Sequence, residues 1–325
     1  MNINSLSSGR KVGVALGVTF VVLAMASVAL AQEAQTCPRD TAVIANGKAV
    51  GCKETTLLTL AKTNESYAQK QMGMGLVVLL GKYGSLPDAR KMFEKSARKG
   101  NAAAQANLGV MYAYGWGGAV NYGSAIYWLK EAAKQGEPHA LANLGTLYLN
   151  GWGVNQDYKE ALRLFTEGAE TGETAAMDNL GYLYDQGLGT EKNNAVAAEW
   201  YAKAAEKGDS LGQNNLADMY LRGEAVRQDD GMAFDLFQKA AAQGNTGARI
   251  KLGYMYLNGR GTPRDLEAAY SWIQAASLAG DQRGQKYLVW LKSKLQHDQI
   301  QRAENRAEQM QGTASGEAFE LALAL

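Results

Sequence analysis

The chain of 325 residues carries 33 basic and 32 acidic side chains, which gives a formal net charge of +1. This balance excludes the broadly basic surface on which non-specific nucleic-acid binding depends, so we expect no nucleic-acid partner. Only two histidines and two cysteines are present, and neither residue type forms a known motif; we therefore expect no metal and no cofactor.

The N-terminus has the pattern of a secretory signal peptide. Arg10-Lys11 precedes an apolar run over residues 12–30, which ends in Ala29-Leu30-Ala31. A basic segment, an apolar segment and a small-x-small cleavage site predict a signal peptide over residues 1–31 and an exported product, periplasmic or alternatively secreted. The run is also near the minimum length for a membrane anchor, but its Ala-x-Ala end favours cleavage, after which we expect no stable membrane insertion.

Residues 32–64 are predicted to form an N-terminal cap. Both cysteines, Cys37 and Cys52, lie in this segment. Downstream of an export signal they predict a disulfide that staples the cap, worth roughly 3 kcal/mol on the chain-entropy model. A redox or metal-binding pair is the alternative, although the spacing matches neither a CxxC nor a zinc signature.

Residues 65–280 contain six copies of a 36-residue unit. One column of the repeat reads Met72-Gly73, Leu108-Gly109, Leu144-Gly145, Leu180-Gly181, Leu216-Ala217 and Leu252-Gly253. A second column reads Gly100, Gly136, Gly172, Gly208, Gly244 and Gly280. A constant period of this length is typical of a solenoid, in which each unit packs only on its neighbours.

Each unit predicts two antiparallel helices, A and B. In the unit over residues 101–136, apolar residues at helical spacing run through helix A, and a glycine-rich turn ends it. Helix B then begins at a residue that can accept hydrogen bonds from the first helical N–H groups. This N-cap column reads Ser85, Asn121, Asp157, Asn193, Asp229 and Asp265. Glycine inside helix A costs about 1 kcal/mol relative to alanine, which predicts a close approach of helix B.

These columns together match a known family. The pattern A-x-x-x-L-G-x-x-Y, then G-x-G, an acidic or amide cap, x-x-x-A and A-A-x-x-G resembles the Sel1-like repeat, a relative of the tetratricopeptide repeat. The resemblance implies an all-α fold, a right-handed α/α superhelical solenoid with helix A on the concave side, and a role as an adaptor. Exported bacterial members of the family are regulators, envelope-assembly scaffolds or host-interaction factors.

The C-terminal part departs from the repeat. Residues 281–296 are predicted as a capping helix, because Val289 stands in the column that holds glycine or alanine in the other units. Residues 297–325 are rich in Gln, Glu, Arg and Lys over their first half, which predicts a polar helix or a disordered tail.

One short motif raises the possibility of catalysis. Ser96-Ala97-Arg98-Lys99 fits the S-x-x-K of serine β-lactamases, and some relatives of the repeat family are β-lactamase-like. The companion motifs S-D-N and K-T-G are absent, and Ser96 stands in a column of alanines and glycine, where a small side chain is needed for packing. We therefore expect no enzymatic activity.

Two surfaces remain as candidate partner-binding sites. An asparagine ladder, Asn107, Asn143, Asn179 and Asn215, marks helix A of four units, with Tyr182 and Tyr254 one turn later in two units. Amides on such a face can clamp an extended peptide, or they can hydrogen-bond within the fold. The second surface is a loop column in which Trp116 and Trp152 are followed by Leu188. In adjacent units these side chains predict an apolar strip, unless each tryptophan folds over its own helix.

The sequence thus predicts a non-enzymatic, exported adaptor that binds a protein or an extended peptide in the bacterial cell envelope, as a regulator or assembly scaffold. An envelope-polysaccharide scaffold is the alternative, since tryptophans can stack on sugar faces. A β-lactamase-like hydrolase is a third and weaker interpretation. The sequence leaves the oligomeric state open.

Overall fold

A computed structural model describes the backbone of residues 42–45, 48–52 and 86–324, and the side chains of residues 86–310. Residues 1–31, for which we predict a signal peptide, lie outside the described residues, as do Cys37 and helix A of the first repeat. The backbone of Cys52 is described but its side chain is not, so the disulfide remains a prediction.

Within the predicted cap, the described residues form a short antiparallel hairpin of β1 (Ala42–Ala45) and β2 (Lys48–Cys52). Ala42 lies opposite Cys52, and the register shifts between Val43 and Ile44.

The rest of the described chain is helical, which confirms the predicted all-α solenoid of helix-turn-helix repeats. The helices are α1 (Leu86–Arg98), α2 (Ala102–Tyr114), α3 (Tyr122–Ala133), α4 (Pro138–Asn150), α5 (Tyr158–Glu170), α6 (Thr174–Gln186), α7 (Asn194–Glu206), α8 (Ser210–Arg222), α9 (Asp230–Ala242), α10 (Thr246–Asn258), α11 (Leu266–Leu278), α12 (Gln285–Lys292) and α13 (His297–Ala324). A 3₁₀ turn, Gln282–Gly284, precedes α12. Even-numbered helices up to α10 are helices A of the repeat, and odd-numbered helices up to α11 are helices B.

The predicted N-caps start the B helices. The Asn121 side chain accepts a hydrogen bond from the Ser124 N–H, and Asp157 accepts from Lys159 and Glu160. Asn193, Asp229 and Asp265 act in the same way on α7, α9 and α11. Each of these bonds satisfies donors that the first helical turn leaves without a partner.

Two glycine columns serve two different purposes. Gly136 has a φ of +77° after α3, and a Cβ atom there would meet no neighbour, so the requirement is for left-handed backbone. Gly145 lies inside α4, where a Cβ atom would come within 2.6 Å of Phe165 Cε1. Gly109, Gly181 and Gly253 are covered in the same way by Leu129, Tyr201 and Ile273. The predicted close approach of helix B is therefore present.

The chain divides into two compact units, one built around residues 86–176 and the other comprising Met177–Gly316. We call these the first and second units. The core of the first contains Leu129, Leu144 and Leu147, and a core cluster of the second contains Phe237, Leu252 and Met255. The tyrosines one turn after the helix A glycine, such as Tyr112 and Tyr256, are only partly buried and pack at the edge of these cores.

For the C-terminal residues we expect a polar helix or a disordered tail; His297–Ala324 form the helix α13, one side of which packs on the fold. Ala303 and Ala307 are fully buried, and Tyr270 of α11 donates a hydrogen bond to Glu304 at 2.9 Å. Arg302 forms an ion pair with Glu267 of α11 at 3.0 Å. Small alanines one turn apart let α13 pack closely on α11, which is the last helix B of the repeats.

Candidate functional site

The loop between helices A and B places one side chain per repeat in the same position. After α2, Gly115 adopts a φ of +70° and the Trp116 N–H donates to the Met111 carbonyl at 2.9 Å. After α4, the Trp152 N–H donates to the Leu147 carbonyl at the same distance. This is the hydrogen bond of a Schellman motif, and it orients each loop side chain alike. The column reads Trp116, Trp152, Leu188, Glu224 and Arg260.

In the first unit the two loop tryptophans belong to one aromatic cluster. The Tyr114 ring lies 5.8 Å from the Trp116 ring and 5.8 Å from the Trp152 ring, between centroids. The Trp152 ring also stacks on Tyr122, with centroids 6.0 Å apart. Both tryptophans are partly buried. We call Tyr114, Trp116, Tyr122 and Trp152 the loop strip.

Burial raises the pKa of the Tyr114 hydroxyl to about 12, with a further contribution from Tyr122. The hydroxyl therefore stays protonated at neutral pH. The loop strip carries no formal charge and presents ring faces and edges with hydroxyl groups.

The same column joins adjacent repeats. Trp152 contacts Tyr122, the first residue of the helix B one repeat earlier. Arg260 makes the equivalent contact in the second unit, where its guanidinium binds both carboxylate oxygens of Asp230 at 2.6 and 2.9 Å. The hydrogen bond from Arg260 lowers the pKa of the Asp230 carboxyl. The loop column thus pairs complementary side chains of adjacent repeats: an aromatic ring with an aromatic ring at Trp152, and a cation with an anion at Arg260.

Leu188, the third member of the predicted strip, lies in the second unit and is partly buried. The structure thus brings Trp116 and Trp152 together through Tyr114, and the extension of the strip to Leu188 remains a prediction.

The asparagine ladder is largely engaged with the fold. The Asn107 and Asn143 amides donate to the Ala103 and His139 carbonyls of their own helices, at 2.9 and 2.8 Å. The Asn215 amide donates to the Asp178 carboxylate at 2.6 Å, which links α8 to α6. A peptide clamp that used the same N–H groups would first have to break these bonds, although each amide nitrogen has a second N–H.

The remaining predicted residues lie on the helix A faces of the second unit. Asn179 and Tyr182 of α6 are partly exposed. Tyr254 of α10 packs edge-to-face on Tyr287 at 6.1 Å, and burial raises its pKa. Between them, Lys251 forms an ion pair with Asp218. This face is polar, in contrast to the loop strip.

Comparison with known proteins identifies the family. The family model of the Sel1 repeat matches residues 66–101, 102–137, 138–172, 174–209, 210–245 and 247–281, about two thirds of the chain. The chain belongs to the Sel1 repeat family. Sel1 repeats form helical scaffolds that are generally non-catalytic and typically mediate protein–protein interaction.

Solved structures of Sel1 repeat proteins include similar chains. A Sel1 repeat protein from Oxalobacter formigenes is 29% identical with a TM-score of 0.60, over 70% of this chain and 100% of the other. The protein c5321, a protective antigen of uropathogenic Escherichia coli with an SLR fold, is 26% identical with a TM-score of 0.46, over 82% of this chain and 65% of that one. No curated protein matches the chain significantly.

The S-x-x-K motif of this Sel1 repeat protein is not arranged for catalysis. Ser96 is 0% exposed and its hydroxyl has no hydrogen-bond partner, whereas Lys99 lies in the exposed turn after α1. A nucleophilic hydroxyl must reach its substrate and needs a base within hydrogen-bond distance. Across the described residues, no three His, Cys, Asp or Glu side chains are grouped to hold a metal ion. In that same part of the chain, no helix is both long and apolar enough for a membrane span.

Two residues of this Sel1 repeat protein were not predicted as surface residues. Val289 is 66% exposed and Trp290 is 41% exposed, both on α12. Trp290 lies 36 residues after Tyr254, so extending the repeat register beyond the sixth repeat would have marked it as a candidate surface residue.

Proposed function

We propose that this protein is a non-enzymatic, exported adaptor that binds a protein or an extended peptide in the bacterial cell envelope, as a regulator or an assembly scaffold. The observation that carries the proposal is the loop strip, in which two tryptophans of consecutive Sel1 repeats share one aromatic cluster. Membership of a family of interaction scaffolds supports the same class of function.

The geometry of the loop strip suits a binding surface. Trp116 and Trp152 keep part of their rings exposed, while Tyr114 and Tyr122 hold the other part in place. A ring fixed before binding loses little conformational entropy on contact, and aromatic anchors dominate the energy of many protein interfaces. The contact of Trp152 with Tyr122 also joins two adjacent repeats.

Export is part of the proposal and is supported by the N-terminal pattern. Arg10-Lys11, the apolar run over residues 12–30 and the Ala29-Leu30-Ala31 end are the features of a cleavable signal. The fully buried Ser96 hydroxyl supports a role without catalysis, because no substrate reaches it in this fold.

The test is a pull-down from envelope extracts with the mature chain, residue 32 onward. The double variant Trp116→Ala, Trp152→Ala should remain helical and lose about tenfold or more of partner recovery, since removal of an interface anchor commonly weakens binding to that extent. Tyr127→Ala is the matched control, because Tyr127 is an aromatic of the same unit that is 56% exposed and lies outside the loop strip. If the double variant unfolds, the rings belong to the core and the proposal fails.

The polysaccharide alternative is tested with the same proteins. If envelope oligosaccharides quench the tryptophan fluorescence of the wild type but not of the double variant, the loop strip binds a glycan and not a protein.

A further inference from the structure

The α12 helix of the second unit presents an apolar face to solvent. Lys286, Val289 and Trp290 stand at positions i, i+3 and i+4 and therefore share one side of the helix. Val289 is 66% exposed, while Tyr287, Leu288 and Leu291 on the other side are buried. We call Lys286, Val289, Trp290 and Lys294 the α12 patch.

In the repeats whose helix A the structure describes, the position equivalent to Val289 is covered by helix B. It is the column of Gly145 and Gly253, against which Phe165 and Ile273 of the following helix B are packed. After α12 the following helix is α13, which packs on α11 through Ala303 and Ala307 instead. The place that a helix B fills in each repeat is therefore open over Val289, and the residue beneath it is larger and more apolar than glycine.

The charged side chains around the open face are basic. Residues 282–297 contain Arg283, Lys286, Lys292 and Lys294 and no acidic residue. Arg283 is paired with Asp281 and Lys292 with Glu304. Within the described part of the chain, Lys286 and Lys294 approach aromatic rings rather than carboxylates: their Nζ atoms lie 5.1 Å from the Tyr287 centroid and 5.8 Å from the Trp290 centroid.

We propose that the α12 patch binds an amphipathic helix of a partner protein, with an apolar stripe over Val289 and Trp290 and acidic residues facing Lys286 and Lys294. The occupant is a helix because the repeat places a helix at the equivalent position. It is acidic because the two lysines that flank the apolar pair lack acidic partners within the described chain. One valine and one tryptophan bury too little apolar area for stable attachment to a bilayer by themselves.

This inference rests on the proposed scaffold function but uses a surface other than the loop strip. The test places the photo-cross-linker benzoyl-phenylalanine at position 289 of the full chain, in the organism that makes it, and identifies the cross-linked segment by mass spectrometry. Position 127 carries the same cross-linker as a control, since Tyr127 is 56% exposed on α3.

We expect position 289 to capture a segment with apolar residues at helical spacing and flanking Asp or Glu. The double variant Lys286→Glu, Lys294→Glu should lower the yield about tenfold, because it places like charges opposite each other. Trp290→Ala should lower the yield to a similar extent, through loss of the aromatic anchor. Because Lys286 and Lys294 are exposed, the charge-reversal variant should melt at the temperature of the wild type. Trp290 is 41% exposed, so Trp290→Ala should remain folded and melt slightly lower.

Three outcomes would overturn the proposal: a cross-link to a second copy of this chain, a cross-link to lipid, or a yield at position 289 no higher than at position 127. A yield that charge reversal leaves unchanged would do so as well. The loop-strip variant Trp116→Ala, Trp152→Ala should leave the cross-link at position 289 intact. If the loop-strip variant retains its partner while the α12 variants lose the cross-link, the loop-strip proposal fails and the α12 proposal stands. If the loop-strip variant loses its partner while the α12 variants keep the cross-link, the α12 proposal fails and the loop-strip proposal stands.

Discussion

At the scale of single residues, the two glycine columns of the repeat look alike in the sequence but have different physical causes. Gly136 is needed for its positive φ, and space around it is open. Gly145 has ordinary helical backbone and is needed because Phe165, which is fully buried, lies over it. Ala217 occupies the same column as Gly145 and lies in one core cluster with Phe237, so this column accommodates one methyl group at that repeat.

Substitution Gly145→Ala should therefore destabilise the fold. The new Cβ atom would lie 2.6 Å from Phe165 Cε1, and the ring has no open space to move into. Overpacking of this kind costs about 1–3 kcal/mol, offset by up to about 1 kcal/mol from the better helix propensity of alanine. We expect the free energy of unfolding to fall by about 1–2 kcal/mol, measured by urea denaturation followed by circular dichroism.

The matched control is Gly123→Ala in α3. Its Cβ atom would meet only the Asn121 side chain, at 3.5 Å, so the helix gains propensity without a clash. We expect this variant to be as stable as the wild type or more so, by up to about 1 kcal/mol. Equal effects of the two substitutions would mean that the steric explanation of the Gly145 column is wrong.

The roles of residues that recur in every repeat were predictable from the sequence. The environment of residues that change between repeats was less predictable. The close approach over Gly109, Gly145, Gly181 and Gly253 followed from the cost of glycine in a helix. The partial burial of Trp116 and Trp152 did not follow, because it depends on which side chain begins the preceding helix B. That partner is Tyr122 for Trp152 and Asp230 for Arg260, and the pairing becomes visible only when two columns 30 residues apart are compared.

At the scale of secondary-structure elements, one buried arginine fixes the end of the fold. Arg249 of α10 is 2% exposed, and its guanidinium donates to the carbonyls of Ala241, Ala275 and Met310 at 3.1, 3.3 and 3.1 Å. These carbonyls lie on α9, α11 and α13. Burial lowers the pKa of the guanidinium.

The residues equivalent to Arg249 in earlier repeats explain how this contact arose. Gln105 and Gln213 occupy the Arg249 position in earlier repeats. Each donates to the carbonyl eight residues before it, at 3.2 and 3.4 Å. Arg249 keeps that bond, to Ala241, and its longer side chain adds the bonds to α11 and α13. The sequence of residues 297–325 predicted a polar helix or a disordered tail. The burial of Ala303 and Ala307 and the contact from Arg249 depend on tertiary packing, which composition does not report.

Substitution Arg249→Gln should release α13 while preserving the repeat. Glutamine can still reach the Ala241 carbonyl, as Gln213 reaches Ala205, but not the carbonyls of Ala275 and Met310. Loss of hydrogen bonds to a charged group costs about 1.5–3 kcal/mol each before relaxation. We expect amide hydrogens of α13 to exchange at least tenfold faster, while those of α9 remain protected, as measured by hydrogen–deuterium exchange.

Arg302→Gln provides the control, since Arg302 pairs with Glu267 on an exposed surface of the same helix. Exposed ion pairs contribute at most about 1 kcal/mol, so exchange in α13 should change little. If Arg302→Gln releases α13 as strongly as Arg249→Gln, the helix is held by its surface charges and not by the buried arginine.

At the scale of the whole molecule, the repeat accounts for the fold and the departures from it account for the surfaces. The columns that keep one type of residue, short polar residues at the N-caps and small residues inside helix A, satisfy the backbone and bring helices together. The column from Trp116 to Arg260 lies in the loops, where its side chains are partly exposed, and Trp152 and Arg260 contact the first residue of the helix B one repeat earlier. The fold was therefore predictable from periodicity, while the proposed partner binding rests on the few positions where the residues change between repeats.

The exported form of the chain provides the last prediction. If residues 1–31 are a cleaved signal, the mature protein begins at Gln32, and its formal net charge is −1 instead of +1 because Arg10 and Lys11 are removed. In an oxidising compartment Cys37 and Cys52 should then be joined, and the intact mass should rise by two hydrogen atoms on reduction.

Intact-mass analysis of the protein purified from the envelope fraction checks both points at once. Replacement of Ala29 and Ala31 by arginine should block cleavage and leave a longer, membrane-retained chain, because signal peptidase requires small residues at these positions. Cys37→Ser should lower the melting temperature of the mature protein only under oxidising conditions, whereas under reducing conditions it should equal the wild type. A mature chain that still begins at Met1, or two free thiols in the exported protein, would contradict the proposed export and the proposed cap.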